Sequence, residues 1–345
     1  MRKIVPAFKN NNIPICLFSD DYYVPYLGTA VLSAIKNVAE NSNLDILIFE
    51  NGYTEKNKNL LCGLAKNNKN VSVRFIDMKP FIENLKVNPS KRVSVNCFAK
   101  IFCTDEMFCE YDKIIVLDSD LLILQDLKEL YDTDLGNNMF AAVRELYVKI
   151  MVSKGYHTDA RLNFQLLGDY LNEIGLEPDN YFNTGVIVFD VKKCQEARVQ
   201  EKILEINSKY PTMMYAAQDD LNILFKNEWT ELASKWNVQN PYGLIAHIDE
   251  FPTGYREFME QAGILHFLGK SKPWDDKNVW KSELFDEYAL QTPWKDEYLA
   301  RRKKYEKRNR IKKRLIPKGS KRREIYLKLY FGISKLKANI VDINN

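Results

Sequence analysis

Short apolar runs alternate with amphipathic segments along the first 120 residues. Apolar runs typical of buried strands lie at 13–18, 44–52, 71–77 and 112–120, and segments with helical spacing lie between them at 29–40, 56–68 and 96–108. Strands that alternate with helices predict an α/β fold with a mainly parallel central sheet and helices on both faces. Because ligands of such sheets bind beyond the carboxyl ends of the strands, we expect the functional site at that edge.

Three further elements complete the pattern. A strand running into a helix is predicted at 181–193, a helix at 216–227, and a short strand followed by a Gly/Lys/Pro loop at 263–274. The stretch from 150 to 180 mixes polar and aromatic residues without a clear period, so we expect an irregular excursion there. The regular signals end near residue 300. We therefore predict a body over residues 1–300 and a helical tail over residues 301–345.

The tail is strongly basic. Residues 301–345 contain 17 Lys and Arg against three acidic residues, whereas the body has an acidic excess. Apolar side chains then recur at helical spacing with lysines between them, at Ile325, Leu329, Ile333, Leu336 and Ile340. A basic amphipathic helix is typical of attachment to an anionic membrane surface. A solvated charge run followed by a helix that packs on the body is one alternative, and nucleic acid binding is disfavoured because no recognition motif accompanies the charge.

The composition of the chain indicates in which cellular compartment the protein is expected. The 345 residues are 46% hydrophobic, and the six cysteines form no CxxC pair. The N-terminal residues lack an apolar core followed by a small-residue cleavage site, and no apolar run approaches the roughly 20 residues of a spanning helix. We therefore expect reduced thiols and a cytoplasmic protein, held peripherally at the inner face of the cytoplasmic membrane.

Two carboxylates interrupt the apolar run IIVLDSDLLIL. Asp118 and Asp120 follow a predicted strand and, being two residues apart, face the same side of an extended backbone. Burying both charges is costly unless a positive partner compensates them. Hard oxygen ligands suit Mg²⁺ or Mn²⁺, which commonly retain phosphates as further ligands. A strand end with capping or salt-bridged acids is the alternative interpretation.

A histidine precedes the Gly/Lys loop of the last predicted strand. As a third ligand, His266 would favour Mn²⁺ over Mg²⁺, although an apolar setting also suits a histidine packed in the core. Gly269 lets the loop backbone approach a phosphate, and Lys270 or Lys272 would neutralise its charge. An ordinary surface turn with solvated lysines remains the alternative.

Four motifs in this order resemble one family. DSD in DKIIVLDSDLLIL, NTG in YFNTGVIVFD, QDDLN and HFLGKSKPW are similar to motifs of glycosyltransferase family 8, and the resemblance extends from Ile13 to Trp294. It implies the GT-A fold, a UDP-sugar donor, and a metal cofactor, Mn²⁺ with Mg²⁺ possible. It also implies retaining hexosyl transfer.

The resemblance assigns roles to individual residues. Metal ligands would be Asp118, Asp120 and His266, and the catalytic residues would be Gln218 and Asp219. Donor contacts would come from Asp20 on the uracil, Tyr23 stacked on it, Gly269 and Lys272 at the diphosphate, and Lys100, Asp118, Ser119, Asn183 and Thr184 elsewhere in the site. Lys100 stands where the family usually has arginine, so it keeps the charge but lacks the bidentate fork.

One departure from the family's motifs bears on the identity of the donor sugar. Ala217 replaces a carboxylate that the family usually places before the Gln-Asp pair. Either Asp220 compensates for it from another angle, or the donor is not galactose, the commonest donor sugar. We expect a galactose or glucose donor and a cell-surface glycan acceptor such as lipopolysaccharide or another lipid-linked saccharide. An N-acetylhexosamine donor or a protein acceptor is the alternative, followed by a metal-dependent phosphoesterase and a non-catalytic sugar-binding protein. For the mechanism we expect front-side attack, with Gln218 stabilising charge on the sugar.

Overall fold

The computed structural model describes residues 3–84, 95–240, 259–269, 271–315 and 320–322. The amphipathic run predicted at 325–340 and Lys270 lie outside the described residues. Within this part of the chain, strands and helices alternate from Asn12 to Asp77, as the hydrophobic pattern predicts.

The strands are β1 (Asn12–Asp20), β2 (Asn43–Asn51), β3 (Val71–Asp77), β4 (Lys113–Leu117), β5 (Leu121–Ile123), β6 (Phe140–Arg144), β7 (Phe182–Asp190), β8 (Thr230–Glu231), β9 (Val238–Gln239) and β10 (Ile264–His266). The helices are α1 (Val24–Asn37), α2 (Glu55–Leu64), α3 (Lys79–Asn84), α4 (Val95–Phe102), α5 (Lys128–Tyr131), α6 (Leu146–Ser153), α7 (Leu167–Glu173), α8 (Val191–Glu196), α9 (Val199–Lys209), α10 (Ala217–Leu224), α11 (Ser282–Ala289) and α12 (Lys295–Leu315). The predicted strand at 112–120 is wrong at its end, because β4 stops at Leu117 and the chain bends through the two acids before β5.

The main sheet has seven strands in the order β3-β2-β1-β4-β7-β6-β8. Strands β3, β2, β1 and β4 are parallel neighbours, and β8 is parallel to β6. Only β7, among the described strands of this sheet, pairs antiparallel with both of its neighbours. The prediction of an α/β fold with a mainly parallel sheet is confirmed. The reversal matters for function, because it brings the start of β7 beside the end of β4.

Both faces of the main sheet are buried. Alternate residues of β1 enter different apolar clusters, with Ile15 and Leu17 on one face and Cys16 and Phe18 on the other. This is why the central strands read as continuous apolar runs in the sequence. The five cysteines whose side chains are described are free thiols, as predicted.

A second, three-stranded sheet in the order β5-β10-β9 continues from the bend after β4. Strand β10 is antiparallel to β5, and its register pairs His266 with Leu121. Phe267 then donates its backbone N–H to the carbonyl of Asp120 at 3.0 Å. The small sheet therefore carries His266 to the acids that end β4.

Two regions differ from the sequence prediction. The stretch 150–180 is more regular than expected, since α7 and the end of α6 pack through a small apolar cluster that includes Val148, Leu167 and Tyr170. Helix α12 crosses residue 300, where we placed the end of the body, so the division into body and tail stays a prediction. No helix in the described ranges combines the length and apolar character needed to cross a bilayer.

Helix α12 begins directly after a tryptophan that is wedged against α1. A Cβ built on Gly28 would lie 2.4 Å from the Trp294 ring, so only glycine fits at this point of the helix. Glycine inside a helix costs about 1 kcal/mol relative to alanine, and this close contact offsets that cost. The contact holds the start of α12 on the body.

We expect Gly28→Ala to lower the free energy of unfolding by about 1–3 kcal/mol, because the added methyl overpacks the Trp294 contact. In a Trp294→Leu background, which opens space, the same change becomes neutral or stabilising. Gly63→Ala is the matched control: its Cβ would meet nothing within 4 Å, so alanine should stabilise α2 by up to about 1 kcal/mol. Urea denaturation of the four variants measures these values; equal costs of Gly28→Ala in both backgrounds contradict the explanation.

Candidate functional site

The first acid of the site is tied to a buried lysine. Asp118 lies just after β4, and its backbone N–H donates to the carbonyl of Gly185 at 2.9 Å. Lys100 Nζ lies 2.8 Å from Asp118 Oδ1 and also donates to the backbone carbonyl of Thr184 at 2.7 Å. The lysine charge therefore compensates one oxygen of Asp118 and leaves Oδ2 available.

The second acid has its own lysine. Lys272 Nζ lies 2.5 Å from Asp120 Oδ2, while the other oxygen, Oδ1, faces His266 Nε2 at 3.2 Å. Burial alone would raise the pKa of Asp120, but Lys272 and His266 hold that pKa well below its usual value. Asp120 is therefore ionised at any physiological pH, as a metal ligand requires.

Three ligand atoms converge at this edge of the sheet. Asp118 Oδ2, Asp120 Oδ1 and His266 Nε2 lie on the side that the two lysines leave open, with 3.8 Å and 3.2 Å from Nε2 to the two oxygens. Ligand atoms of the three residues lie within 4.8 Å of one another. An octahedral cation holds adjacent ligand atoms about 3 Å apart, so this set fits one divalent ion after small adjustments.

A chain of buried side chains lies behind His266. His266 Nδ1 is 3.0 Å from Asn237 Oδ1, and Asn237 Nδ2 donates to Asn183 Oδ1 at 2.8 Å. Asn183 Nδ2 in turn donates to Glu145 Oε2 at 2.6 Å. Burial raises the pKa of Glu145, whereas hydrogen bonds from Asn183, Gln218 and the Tyr147 backbone N–H act in the opposite direction.

Gly185, the glycine of the NTG motif, lies against the imidazole. A Cβ at this position would be 2.2 Å from a ring carbon of His266 and 2.4 Å from Nδ1. Its backbone N–H also donates to Asn183 Oδ1 at 2.8 Å. Glycine is therefore required here by the close approach of the ring.

A cavity of about 330 Å³ adjoins the acids. Its polar lining includes Lys100, Asp118, Glu145, Asn183, Thr184 and Gln218. Its apolar lining includes Phe18, Val148, Met151, Ala217 and Leu268, together with the aromatic residues Tyr147 and Tyr215. This volume is at the lower end of small-molecule sites, which span about 300–1,000 Å³.

The predicted catalytic pair separates into two environments. Gln218 lines the cavity, and its Oε1 accepts from the Thr184 backbone N–H at 3.1 Å. Asp219 is fully buried, and its carboxylate accepts from the hydroxyls of Tyr170 and Tyr181. Burial raises the pKa of Asp219 against these hydrogen bonds. In this conformation Asp219 anchors the start of α10, so its predicted catalytic role is untested and Gln218 alone of the pair faces the cavity.

Asp220, the acid considered as a substitute for the carboxylate missing at Ala217, is also buried. It is 1% exposed, and burial raises its pKa to about 7. Asn207 donates to its Oδ2 at 3.4 Å, and neither residue is among those lining the cavity. Asp220 therefore does not compensate for Ala217 in this conformation.

The predicted base-binding loop lies at the end of β1. Asp20 accepts from the Tyr23 backbone N–H at 3.0 Å and so caps the turn Asp21–Tyr23. The Tyr23 ring packs edge-on against Tyr26 and Trp274. Burial, followed by the charges of Asp120 and Asp118, raises the pKa of Tyr23. The loop thus lies beside the acids. This is where the uracil is expected, because the diphosphate that adjoins it in the donor is expected at the acids.

The remaining predicted donor residues take different positions. Ser119 is 6% exposed and donates to the carbonyl of Phe18 at 2.7 Å, so its side chain joins β1 to the bend after β4. Thr184 receives hydrogen bonds from Lys100 at both its carbonyl and its hydroxyl oxygen. Gly269 is partly exposed in the loop between β10 and Lys272. All three lie near the acids, and their contacts with a donor stay predictions.

Sequence reasoning missed Glu145 and Asn237. Glu145 follows β6 directly, and its position after the apolar run FAAVR gave only a weak signal of a strand end. Asn237 belongs to a single turn, Ser234–Asn237, and no motif marks it. Both enter the site only because β6 and the turn before β9 are adjacent in the fold.

Comparisons with known proteins agree with this geometry. The model of Glycosyl transferase family 8 matches residues 14–278. The chain is similar to general stress protein A of Bacillus subtilis, with 25% identity over 296 residues that cover 83% of this chain and 96% of that protein. It is also similar to the lipopolysaccharide 1,2-glucosyltransferase of Escherichia coli K12, with 26% identity over 284 residues, 81% of this chain and 78% of that protein.

Solved structures give the same result. The apo structure of the bifunctional glycosyltransferase WbbM has a TM-score of 0.78 and 29% identity, covering 87% of this chain and 53% of that chain, so this chain spans about half of it. The galactosyltransferase LgtC, in complex with donor and acceptor sugar analogues, has a TM-score of 0.63 and 25% identity over 83% of this chain and all of that chain. The fold is therefore GT-A, and the chain belongs to glycosyl transferase family 8 and is a glycosyltransferase.

Proposed function

We propose that this enzyme is a Mn²⁺-dependent retaining glycosyltransferase that moves a hexose, galactose or glucose, from a UDP-sugar to a cell-surface glycan such as lipopolysaccharide or another lipid-linked saccharide. The observation that carries the proposal is the convergence of Asp118, Asp120 and His266 beside a sugar-sized cavity. One imidazole with two carboxylates favours Mn²⁺ over Mg²⁺. When bound, the cation supplies charge neutralisation to the diphosphate leaving group.

Two lysines flank the acids and suit an anionic donor. Lys100 and Lys272 each hold one carboxylate oxygen in the absence of donor. Lys272 is on the loop after β10, so it can turn from Asp120 towards a phosphate oxygen and neutralise charge that develops as the glycosidic bond breaks. Tyr23, in the loop that Asp20 caps, lies near the acids at a position suited to the uracil.

The cavity favours front-side attack. Double displacement needs a nucleophilic carboxylate at the sugar. The Asp219 carboxylate accepts hydrogen bonds from two buried tyrosine hydroxyls, and both oxygens of Glu145 also accept hydrogen bonds. Neither carboxylate is therefore placed as a nucleophile. Gln218 faces the cavity with its oxygen oriented by Thr184, so it can stabilise positive charge on the sugar while the acceptor hydroxyl passes its proton to the departing phosphate.

An N-acetylhexosamine donor is the second candidate. Ala217, where the family usually has a carboxylate, presents apolar surface to the cavity together with Val148 and Met151. Such a surface suits an acetamido methyl better than a ring of hydroxyls. Comparison of the two donor classes therefore decides between the candidates.

The basic end of the chain supports a membrane-bound acceptor. Beyond Arg302, the described lysines and arginines of α12 are exposed where their side chains are described, at Lys303, Lys304, Lys307, Arg308, Arg310 and Arg314. Exposed cations of this density attract anionic lipid by about 1 kcal/mol each near the surface. We propose a cytoplasmic enzyme held at the inner face of the cytoplasmic membrane, where a lipid-linked acceptor is concentrated.

The donor proposal is tested by thermal stabilisation and UDP release with a panel of UDP-sugars, with and without Mn²⁺. We expect UDP-galactose or UDP-glucose to stabilise the protein most and only with Mn²⁺, and Asp120→Asn to lower kcat/KM at least about 100-fold, since several kcal/mol of charge stabilisation is lost. Asp132→Asn, at an exposed ion pair with Lys128, is the control and should match the wild type. Tighter binding of UDP-N-acetylhexosamines supports the second candidate. Release of phosphate from phosphoesters without UDP release contradicts glycosyl transfer.

For Gln218→Ala we expect kcat to fall about 10- to 100-fold with a smaller change in the donor KM, because the amide acts on charge present mainly in the transition state. The product should keep the anomeric configuration of the donor, as seen by NMR of the new linkage. Gln125→Ala, at a surface glutamine bonded to the Gln261 carbonyl, is the matched control. Near-normal turnover of Gln218→Ala removes this residue from the mechanism.

The membrane proposal is tested by ending the chain after Lys303, since Tyr298, Arg301 and Arg302 contact the body through Asp286 and Asp275 and should be kept. We expect the full chain, but not the truncated one, to sediment with phosphatidylglycerol vesicles at low salt, while both hydrolyse UDP-sugar equally. Phosphatidylcholine vesicles provide the control surface. Sedimentation of the truncated chain with anionic vesicles shows that the tail is not the attachment.

A further inference from the structure

The hydrogen bonds behind His266 have only one consistent direction. The backbone N–H of Gly185 can only donate, so its partner, Asn183 Oδ1, is an oxygen and the other end of that amide is the NH₂ group that reaches Glu145. Asn183 Oδ1 can only accept from Asn237, so the Asn237 NH₂ group faces Asn183. The Asn237 oxygen then faces the imidazole.

This direction determines which ring nitrogen carries a proton. Asn237 Oδ1 lies 3.0 Å from His266 Nδ1, and two lone pairs at that distance would repel, so Nδ1 must be a donor. Nε2 faces Asp118 Oδ2 and Asp120 Oδ1, and a cation bound between them would take the Nε2 lone pair in place of the proton that Nε2 otherwise shares with Asp120. Metal-binding histidines are commonly set in this way by a partner on the other nitrogen.

We propose that Glu145, Asn183 and Asn237 are positioning residues that hold His266 in its Nδ1-protonated form and so prepare the metal site. The inference rests on the proposed metal role of His266. The proposal gives Asn183, the asparagine of the NTG motif, a role in addition to its predicted contact with the donor sugar. Both the oxygen and the NH₂ group of its amide take part in this series of hydrogen bonds. Glu145 is the terminal acceptor, and all four side chains are at most 4% exposed, so their orientations are set mainly by one another.

The same acceptor joins the metal site to the predicted catalytic amide. Glu145 also receives a hydrogen bond from Gln218, whose oxygen is held by Thr184. One buried carboxylate therefore orients two amides, one leading to the metal histidine and the other facing the sugar cavity. Loss of Glu145 is expected to disturb both, whereas loss of Asn237 disturbs the histidine alone.

The experiment compares Asn237→Leu with Asn237→Asp. Leucine keeps the approximate volume but removes the oxygen that faces Nδ1. Aspartate keeps an oxygen there; like leucine it cannot donate to Asn183 Oδ1, which retains the Gly185 N–H, so the two variants differ at Nδ1. We expect Mn²⁺ affinity, measured by electron paramagnetic resonance of free Mn²⁺, to fall about 10- to 100-fold in Asn237→Leu and to stay within about 3-fold of wild type in Asn237→Asp. Asn37→Leu removes a partly buried amide far from the acids and should leave Mn²⁺ affinity unchanged.

The ring itself gives a second readout. Long-range ¹H–¹⁵N correlation spectra of ¹⁵N-histidine protein loaded with diamagnetic Mg²⁺ should show His266 protonated at Nδ1 in the wild type. In the Asn237→Leu variant, part of the protein should show His266 protonated at Nε2 instead. The other two histidines are assigned with His157→Gln and His247→Gln variants. Circular dichroism confirms that each variant is folded.

The outcomes separate this inference from the proposed function. Wild-type protein protonated at Nε2, or equal Mn²⁺ affinity in the leucine and aspartate variants, overturns the positioning role even if the enzyme transfers sugar. Conversely, the expected tautomer and affinities in a protein that releases no UDP from any UDP-sugar support the inference and contradict the proposed function.

Discussion

The site depends on compensation of two carboxylate charges at the edge of a buried sheet. Asp118 and Asp120 each share one oxygen with a lysine, and the remaining oxygens turn towards His266. Uncompensated, two such groups at the end of an apolar strand would be expensive to desolvate. The two lysines offset the cost of desolvating the acids. Because each lysine pairs with one carboxylate oxygen, the oxygen nearer His266 stays available to a metal ion.

The positive partners come from distant parts of the chain, and the sheet topology explains how they meet. The antiparallel course of β7 places Thr184 and Gly185 beside the end of β4, where Lys100 reaches both Thr184 and Asp118. The small sheet then brings His266 and Lys272 from the other side. A metal site on this plan needs both sheets, since neither supplies all three ligands.

Helix α12 connects the site to the basic end of the chain. Its Arg301 guanidinium lies over the rings of Tyr22 and Tyr26 and pairs with Asp275. Tyr26 stacks on Trp274, which also contacts Tyr23 in the loop expected to bind the base. The helix that carries the exposed cations is therefore in contact, through Arg301, Tyr26 and Trp274, with the loop that contains Tyr23.

Apolar periodicity, which acts over short distances, was enough to predict the strand-helix alternation and the mainly parallel sheet from the sequence. The grouping of Asp118, Asp120 and His266 was predicted from the resemblance to a family, and the structure brings the three side chains together. The sequence pattern misplaced the end of β4, and it could not show that Asp219 and Asp220 are buried while Gln218 faces the cavity. That difference depends on which side of α10 meets Tyr170 and Tyr181. Glu145 and Asn237 carry no motif, and their roles exist only where β6, β7 and the turn before β9 meet. Hydrogen-bond direction across such contacts is a property of packing, so only the tertiary structure decided it.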